Sequence, residues 1–312
     1  MMLNVREHNA ESEYADSPTN NTVHLLNSSA RLEDRQAPTF YDSEIEAETG
    51  IHWWRLRSDC PAKFTPEVVT SLRRFQSDFS LKMRNLIASG RENEVPRYHV
   101  LTSDIDGIFN LGGDLAYFYR MIKEGDRESL SRYAEDCVDL VYENSTAFEL
   151  PMTTVALVKG NALGGGMEAA LSASIIVAER HVRMGLPEVL FNMFPGMGAY
   201  QFLTRRMSAS AAERLILSGK LYDASELYEM GVIDYLADSG KGEQEVRKII
   251  RRERNHSRAA NSFRRAVQNE HPISRDSLVR FVETWVDAAM SLEEKDLNHM
   301  RYLIRSQIDR GF

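Results

Sequence analysis

The run Ala162-Leu163-Gly164-Gly165-Gly166-Met167-Glu168 constrains this chain more than any other segment. Three consecutive glycines bring bare backbone to a place where any Cβ would clash. A small-residue helical pattern follows at once in Glu168, Ala169, Ala170 and Leu171. The glycines are expected at a helix N-terminus, where free N–H groups and the helix dipole favour negative charge. A second carboxylate, Glu188, follows in Gly185-Leu186-Pro187-Glu188. Upstream, Phe109-Asn110-Leu111-Gly112-Gly113-Asp114-Leu115 makes another glycine turn after an apolar strand. Two bare turns and two carboxylates suit chemistry that builds negative charge on a carbonyl oxygen.

The rest of the chain narrows the class. Its 312 residues, 43% hydrophobic, suffice for one large domain with or without an appendage. A net charge of −8 argues against general nucleic-acid binding. No apolar run reaches the ~18 residues of a membrane span. Residues 1–40 hold no apolar signal-peptide core. Only Cys60 and Cys137 are present, with no CxxC pair, which points to reduced thiols in a cytoplasmic protein. The sequons at Asn20, Asn27 and Asn144 then read as chance matches. No metal-type histidine pairing, Gly-x-Ser-x-Gly elbow or P-loop is found, so neither metal nor cofactor is expected.

Three regions are expected. Residues 1–40, polar and acidic, read as a disordered tail. Residues 41–245 read as an α/β core, and 246–312 as a C-terminal helical region. Ile51, Trp53, Trp54 and Leu56 mark a strand or hairpin, and Thr65-Pro66 opens a helix that stops near Gly90. Strands are expected at Tyr98–Thr102, Thr153–Val158 and Ser174–Ala178, with a helical stretch over 115–145. Repetition of strand, glycine turn, helix and strand implies crossover units. Ser210 with Glu213, and Asp223 with Glu226, read as capping boxes. Ser291 with Glu294 divides a helix carrying Leu278, Phe281 and Trp285 from a last one carrying Leu297, Met300 and Ile304.

Gly113 and Gly165 are the candidates for two backbone N–H donors to an oxyanion; losing one such donor typically costs roughly 10²–10³ in rate. Glu168 and Glu188 are the acid–base candidates, because neighbouring carboxylates in a partly apolar site separate in proton affinity. Taken alone, Glu168 would be a solvated first-turn residue and Glu188 a surface loop residue. Met167, Met184, Phe191, Met193, Phe194 and Met197 crowd the two glutamates in sequence. They suit core packing or the lining of an acyl-chain pocket. Arginines from Arg247 to Arg265 form a basic stretch, either a solvated helix face or a dock for an acidic carrier protein.

Gly160 to Glu168, then Leu186-Pro187-Glu188, then Phe194-Pro195-Gly196-Met197-Gly198 resemble the enoyl-CoA hydratase/isomerase (crotonase) superfamily. The resemblance covers about residues 95–240. It implies a spiral of ββα units, with oxyanion amides at Gly113 and Gly165 and catalytic glutamates at Glu168 and Glu188. Leu163, Met167, Met197 and Trp285 would contact substrate. The strings Phe109 to Tyr117 and Glu188 to Tyr200 resemble most the diffusible signal factor synthase branch. That branch dehydrates 3-hydroxyacyl-acyl carrier protein and cleaves the thioester to a cis-2-unsaturated fatty acid used in quorum sensing. The implied partners are the acyl carrier protein, or acyl-CoA in its place, and a signal-sensor regulatory protein. The implied assembly is a homotrimer or hexamer. A plain enoyl-CoA hydratase/isomerase and a non-catalytic regulatory protein are the alternatives. Departures from ordinary hydratases include Ala199 and Tyr200 after the Pro-Gly turn, Lys159 and Asn161 around Gly160, and a long 114–151 segment.

Overall fold

The computed structural model describes residues 38–253 and 255–309. The expected tail therefore lies, up to residue 37, outside the described residues. The chain opens with a hairpin, β1 (Tyr41–Glu46) antiparallel to β2 (Ile51–Leu56). Helix α1 (Pro66–Ala88) starts as the sequence predicts: the Thr65 hydroxyl accepts from the Val68 N–H at 3.3 Å, and Pro66 occupies the first turn.

The chain then moves repeatedly between two sheets. Strands β3 (Tyr98–Ser103), β5 (Thr153–Val158), β7 (Ile175–Glu179) and β10 (Tyr235–Ala237) extend the hairpin into a six-stranded sheet, ordered β1-β2-β3-β5-β7-β10. Strands β4 (Ile108–Asn110), β6 (Asn161–Leu163), β8 (Arg183–Gly185) and β9 (Leu221–Asp223) form a second sheet in that order. Each of β3, β5 and β7 in the first sheet is followed by its successor in the second. This is the expected spiral. Its central strand β5 is buried at every position, which explains why it reads as a continuous apolar run.

Helices fill the returns: α2 (Leu115–Glu124), α3 (Arg127–Ser145), α4 (Gly165–Leu171), α5 (Ala199–Leu203), α6 (Ala209–Ser218), α7 (Ala224–Glu229), α8 (Gly242–Glu253), α9 (Ser257–Glu270), α10 (Arg275–Met290) and α11 (Glu294–Asp309). Two expectations need correction. The 115–145 stretch is two helices, because Gly125 takes a left-handed conformation that ends α2 and Asp126 caps α3. Helix α6 is capped by Ser208, which accepts from the Ala211 N–H, and not by Ser210. Helix α8 spans the expected boundary at 245, and its Val246, Ile249 and Ile250 pack with Ile51, Trp53 and Tyr98. The Asp223–Glu226 capping box is present as expected.

Beneath the hairpin, His52 and His99 are buried with their Nδ1 atoms 2.9 Å apart. The Phe79 ring stacks on His52 at 4.5 Å, and Phe148 meets His99 edge-on at 5.1 Å. Two neutral imidazoles can share one proton across this contact, whereas two imidazolium ions would set N–H against N–H. Burial pushes His52 down to about 4 and His99 well below the ordinary histidine range. Both values are depressed, so this contribution to stability is present above the unfolded value of 6.5 and is lost as pH falls toward the folded values. The melting temperature should drop between about pH 6.5 and pH 4, and His52→Phe should flatten that slope by removing one proton uptake. Calorimetry across this window checks both; an unchanged slope in the variant would assign the acid sensitivity elsewhere.

Candidate active site

Helix α4 and the turn after β4 meet with no side chains between them. Gly112 (φ +89°) and Gly164 (φ +52°) both need backbone conformations that side chains disfavour. A Cβ on Gly112 would stand 2.9 Å from the Gly165 amide nitrogen, and one on Gly165 would stand 3.6 Å from the Gly113 nitrogen. The two predicted donors are therefore neighbours in space. Gly165 is the first residue of α4, so its N–H has no intrahelical acceptor. The Asn110 carboxamide oxygen accepts from the Gly112 N–H at 2.7 Å and fixes the first turn. A Cβ on Gly113 would overlap the Phe118 ring.

The two glutamates occupy different surroundings. Glu168 is 1% exposed, and its Oε1 accepts the backbone N–H of Met197 at 2.7 Å and of Ala199 at 2.9 Å. Burial raises its proton affinity above the usual carboxylate range, and the two amides pull it back. Glu188 lies on a short 3₁₀ turn, Pro187–Phe191. The residue is partly exposed, but Oε2 is covered and has no hydrogen-bond partner. Burial raises its proton affinity too, and the negative Glu168 raises it further. Two adjacent buried carboxyls cannot both ionise cheaply, so the pair holds a proton near neutrality. Glu168, with two donors on one oxygen, is the better ionised partner; Glu188 is the better proton holder.

Both open onto a cavity of about 420 Å³. Gly113, Leu163, Gly165, Glu168, Glu188, Met197 and Trp285 line it together, from segments up to 172 residues apart (285 minus 113). Met167 does not line it. Met167 is fully buried in the main core, because Gly165 and Glu168 take the cavity face of α4. The sequence reading missed Phe118, Tyr133 and Cys137 on α2 and α3, Val282 on α10, and Tyr302 and Leu303 on α11. Their spacing is that of any amphipathic helix and carries no sign of a cavity. Trp285 meets Phe118 edge-on at 5.2 Å and forms one wall. Asn192, after the Glu188 turn, donates to Asp296 at 3.3 Å and ties α11 to it. Cys137 lines the cavity, yet burial pushes its thiol up to about 12, so it is an apolar wall and not a nucleophile.

Several cations of the basic stretch are already paired. Arg247 contacts Glu46 and Glu243, each at 3.2 Å, and lies over the Trp53 ring. Lys248 pairs with Glu245 and Arg264 with Glu253. Among the described residues, no group of His, Cys, Asp and Glu is placed to hold a metal ion, and no helix is long and apolar enough to cross a membrane.

Residues 70–302 match the enoyl-CoA hydratase/isomerase family. The chain belongs to that family. A probable enoyl-CoA hydratase of Mycobacterium avium is 35% identical over 127 residues, 41% of this chain and 47% of that protein. The chain spans about half the length of the curated relatives it matches. The crystal structure of an enoyl-CoA hydratase from Bacillus halodurans is similar with a TM-score of 0.68 at 20% identity, covering 85% of this chain and 100% of that one. That of Pseudomonas aeruginosa DspI gives 0.60 at 21% identity, over 81% and 96%. At such identities the solved structures speak for the fold, a mixed α/β crotonase fold with C-terminal helices.

Two outcomes test this geometry. A Cβ on Gly164 would stand 2.6 Å from Glu188 Oε1 in a conformation that alanine resists, so Gly164→Ala should cost about 1–3 kcal/mol of stability and most activity. A wild-type melting temperature would show that the turn relaxes freely. For Glu188 the folded proton affinity is raised, so its contribution to stability is complete below the ordinary carboxylate range and is lost as pH rises through the folded value. Glu188→Gln should match the wild type in melting temperature near about pH 5 and exceed it near about pH 9. Parallel curves would mean that Glu188 ionises without penalty.

Proposed function

We propose that the protein dehydrates a 3-hydroxyacyl thioester carried on acyl carrier protein and then hydrolyses it, releasing a cis-2-unsaturated fatty acid as a diffusible signal. The observation that carries this reading is the contrast between the carboxyls: Glu168 held by two amides, Glu188 with its covered Oε2 unpartnered, both beside the paired glycine turns. In the dehydration, ionised Glu168 takes the α-proton, and the Gly113 and Gly165 amides stabilise the enolate oxygen. The Cβ–O bond then breaks, and the hydroxyl leaves as water with the Glu188 proton. Glu168 is now protonated and Glu188 ionised. In the hydrolysis, Glu188 takes a proton from water, whose oxygen adds to the thioester carbon. The thiolate leaves with the Glu168 proton. The pair returns to its starting state, so one site serves both steps.

The apolar cavity under α10 and α11 supports an acyl chain as the group enclosed, and the strings shared with the signal factor synthases support the free acid as product. Arg251, Arg252, Arg258 and Arg265, exposed on α8 and α9, offer an acidic carrier a positive face.

Purified protein incubated with 3-hydroxydodecanoyl-carrier protein should release free unsaturated acid, detected by mass spectrometry. Glu168→Gln and Glu188→Gln should each slow dehydration by roughly 10²–10⁴-fold, with the double variant little worse than the poorer single. Turnover of CoA esters alone, without free acid, would make the protein a hydratase. No turnover of either would leave a binding protein with a catalytic-looking site.

A further inference from the structure

A second, smaller cavity of about 60 Å³ lies behind the active site. We infer that it receives the distal end of the acyl chain, with the Met197 side chain as the movable plug between the two cavities. The inference rests on the acyl-thioester reading above.

Three segments run from one cavity to the other in the same order. On α3, Tyr133, Ala134 and Cys137 line the first cavity, while Leu140, Val141 and Asn144 line the second. Cys137 and Val141 are about one helical turn apart, ~5.4 Å along the axis. On α4, Glu168 faces the first cavity, and Ala169 faces the second together with Ser172 just past the helix end. Around β4, Phe109 and Asn110 line the second, and the Leu111–Gly113 turn lines the first. The cavities are therefore end to end along common walls.

Among the described residues, Met197 is the one that lines both. Its backbone is fixed by the N–H bond to Glu168 at 2.7 Å, while its side chain lies against Gly165. A thioether on three rotatable bonds swings aside at little cost, unlike a branched or aromatic side chain. This side chain therefore stands beside Gly165 and between the two cavities, on the path inferred for the acyl chain.

The second cavity suits hydrocarbon better than water. Its surface is overwhelmingly carbon, from residues such as Phe75, Phe109, Leu140 and Phe148. The unpartnered polar atoms of its neighbours Trp54, Asn110 and Asn144 are themselves covered. A buried water needs two to four polar partners, and a cavity with apolar walls stays dry and takes apolar guests. About 10–15 Å³ holds one water-sized probe, so this space has room for several carbon atoms. In its wall, Phe148 is held at φ +58° between Ala147 and Glu149, which also have positive φ. Such strain persists only where the surroundings impose it.

The deciding experiment is a crystal of the full-length chain grown with 12-bromododecanoic acid, with the terminal bromine located by its anomalous signal. We expect the bromine beside Leu140 and Phe148. A bromine in the first cavity, at its mouth, or in neither cavity overturns the inference. In parallel, Val141→Phe should fill the second cavity. It should lower kcat/KM for 3-hydroxydodecanoyl-carrier protein by about 10-fold or more, since each lost methylene of pocket contact is worth roughly that, and leave the 3-hydroxyhexanoyl substrate nearly unchanged. Equal loss on both chain lengths in a folded variant overturns the inference; if the variant does not fold, the bromine position decides. Failure of the proposed activity reads differently, as no turnover of either substrate by the wild type, and the bromine still reports where a chain end binds.

Discussion

The bond from Glu168 to the amides of Met197 and Ala199 is the contact on which the rest of the site depends. It joins α4, in the middle of the spiral, to the turn that precedes α5. One carboxylate oxygen thereby fixes two otherwise unrelated segments. The Glu168 backbone is fixed in turn by α4, and α4 can start where it does only because Gly112 has no Cβ, which would stand 2.9 Å from both the Gly165 nitrogen and the Leu163 oxygen. Replacing this carboxylate by an apolar group would strand two buried N–H groups, each costing on the order of 1–3 kcal/mol. The group that fits the chemistry is also the group that holds the loop.

How much of this was legible in the sequence follows from the range of each interaction. Short-range features were. The Thr65-Pro66 helix start, the Asp223–Glu226 box and the buried strand at Thr153–Val158 depend on neighbouring residues, and the structure has them where expected. The glycine turns were legible because nothing but glycine serves where backbone meets backbone. The break at Gly125 escaped because the periodicity on both sides of it is similar, although Gly followed by Asp is a stop-and-cap signal. The Ser208 cap escaped because Ser210 fitted the capping-box template two residues on.

Cavity walls were legible only as alternatives to core. Trp285 and Met197 line the cavity, but nothing in their local spacing separates them from Met167, which is core. Which face of a helix looks into a void depends on how elements far apart in sequence pack, and α4 shows the limit: Met167 and Glu168 are consecutive, yet one is core and the other lines the cavity.

The C-terminal helices close the argument between burial and chemistry. Val282 and Trp285 on α10 and Leu303 on α11 add apolar surface to the cavity that both glutamates line. Covering a carboxyl raises its proton affinity, and an unpaired buried carboxylate is costly by several kcal/mol. A fold selected for stability alone would leave Glu188 in water or give its Oε2 a partner. Here Oε2 has neither, while Glu179, 3% exposed and outside the cavity lining, accepts from Gly240 at 2.8 Å and Gly242 at 3.0 Å. One chain therefore contains both solutions for a buried carboxyl. Glu179 is satisfied and structural, and caps the start of α8. Glu188 has a raised proton affinity, with Oε2 unpartnered on the wall of a cavity that Gly113 and Gly165 also line, the pattern that marks a candidate functional carboxyl.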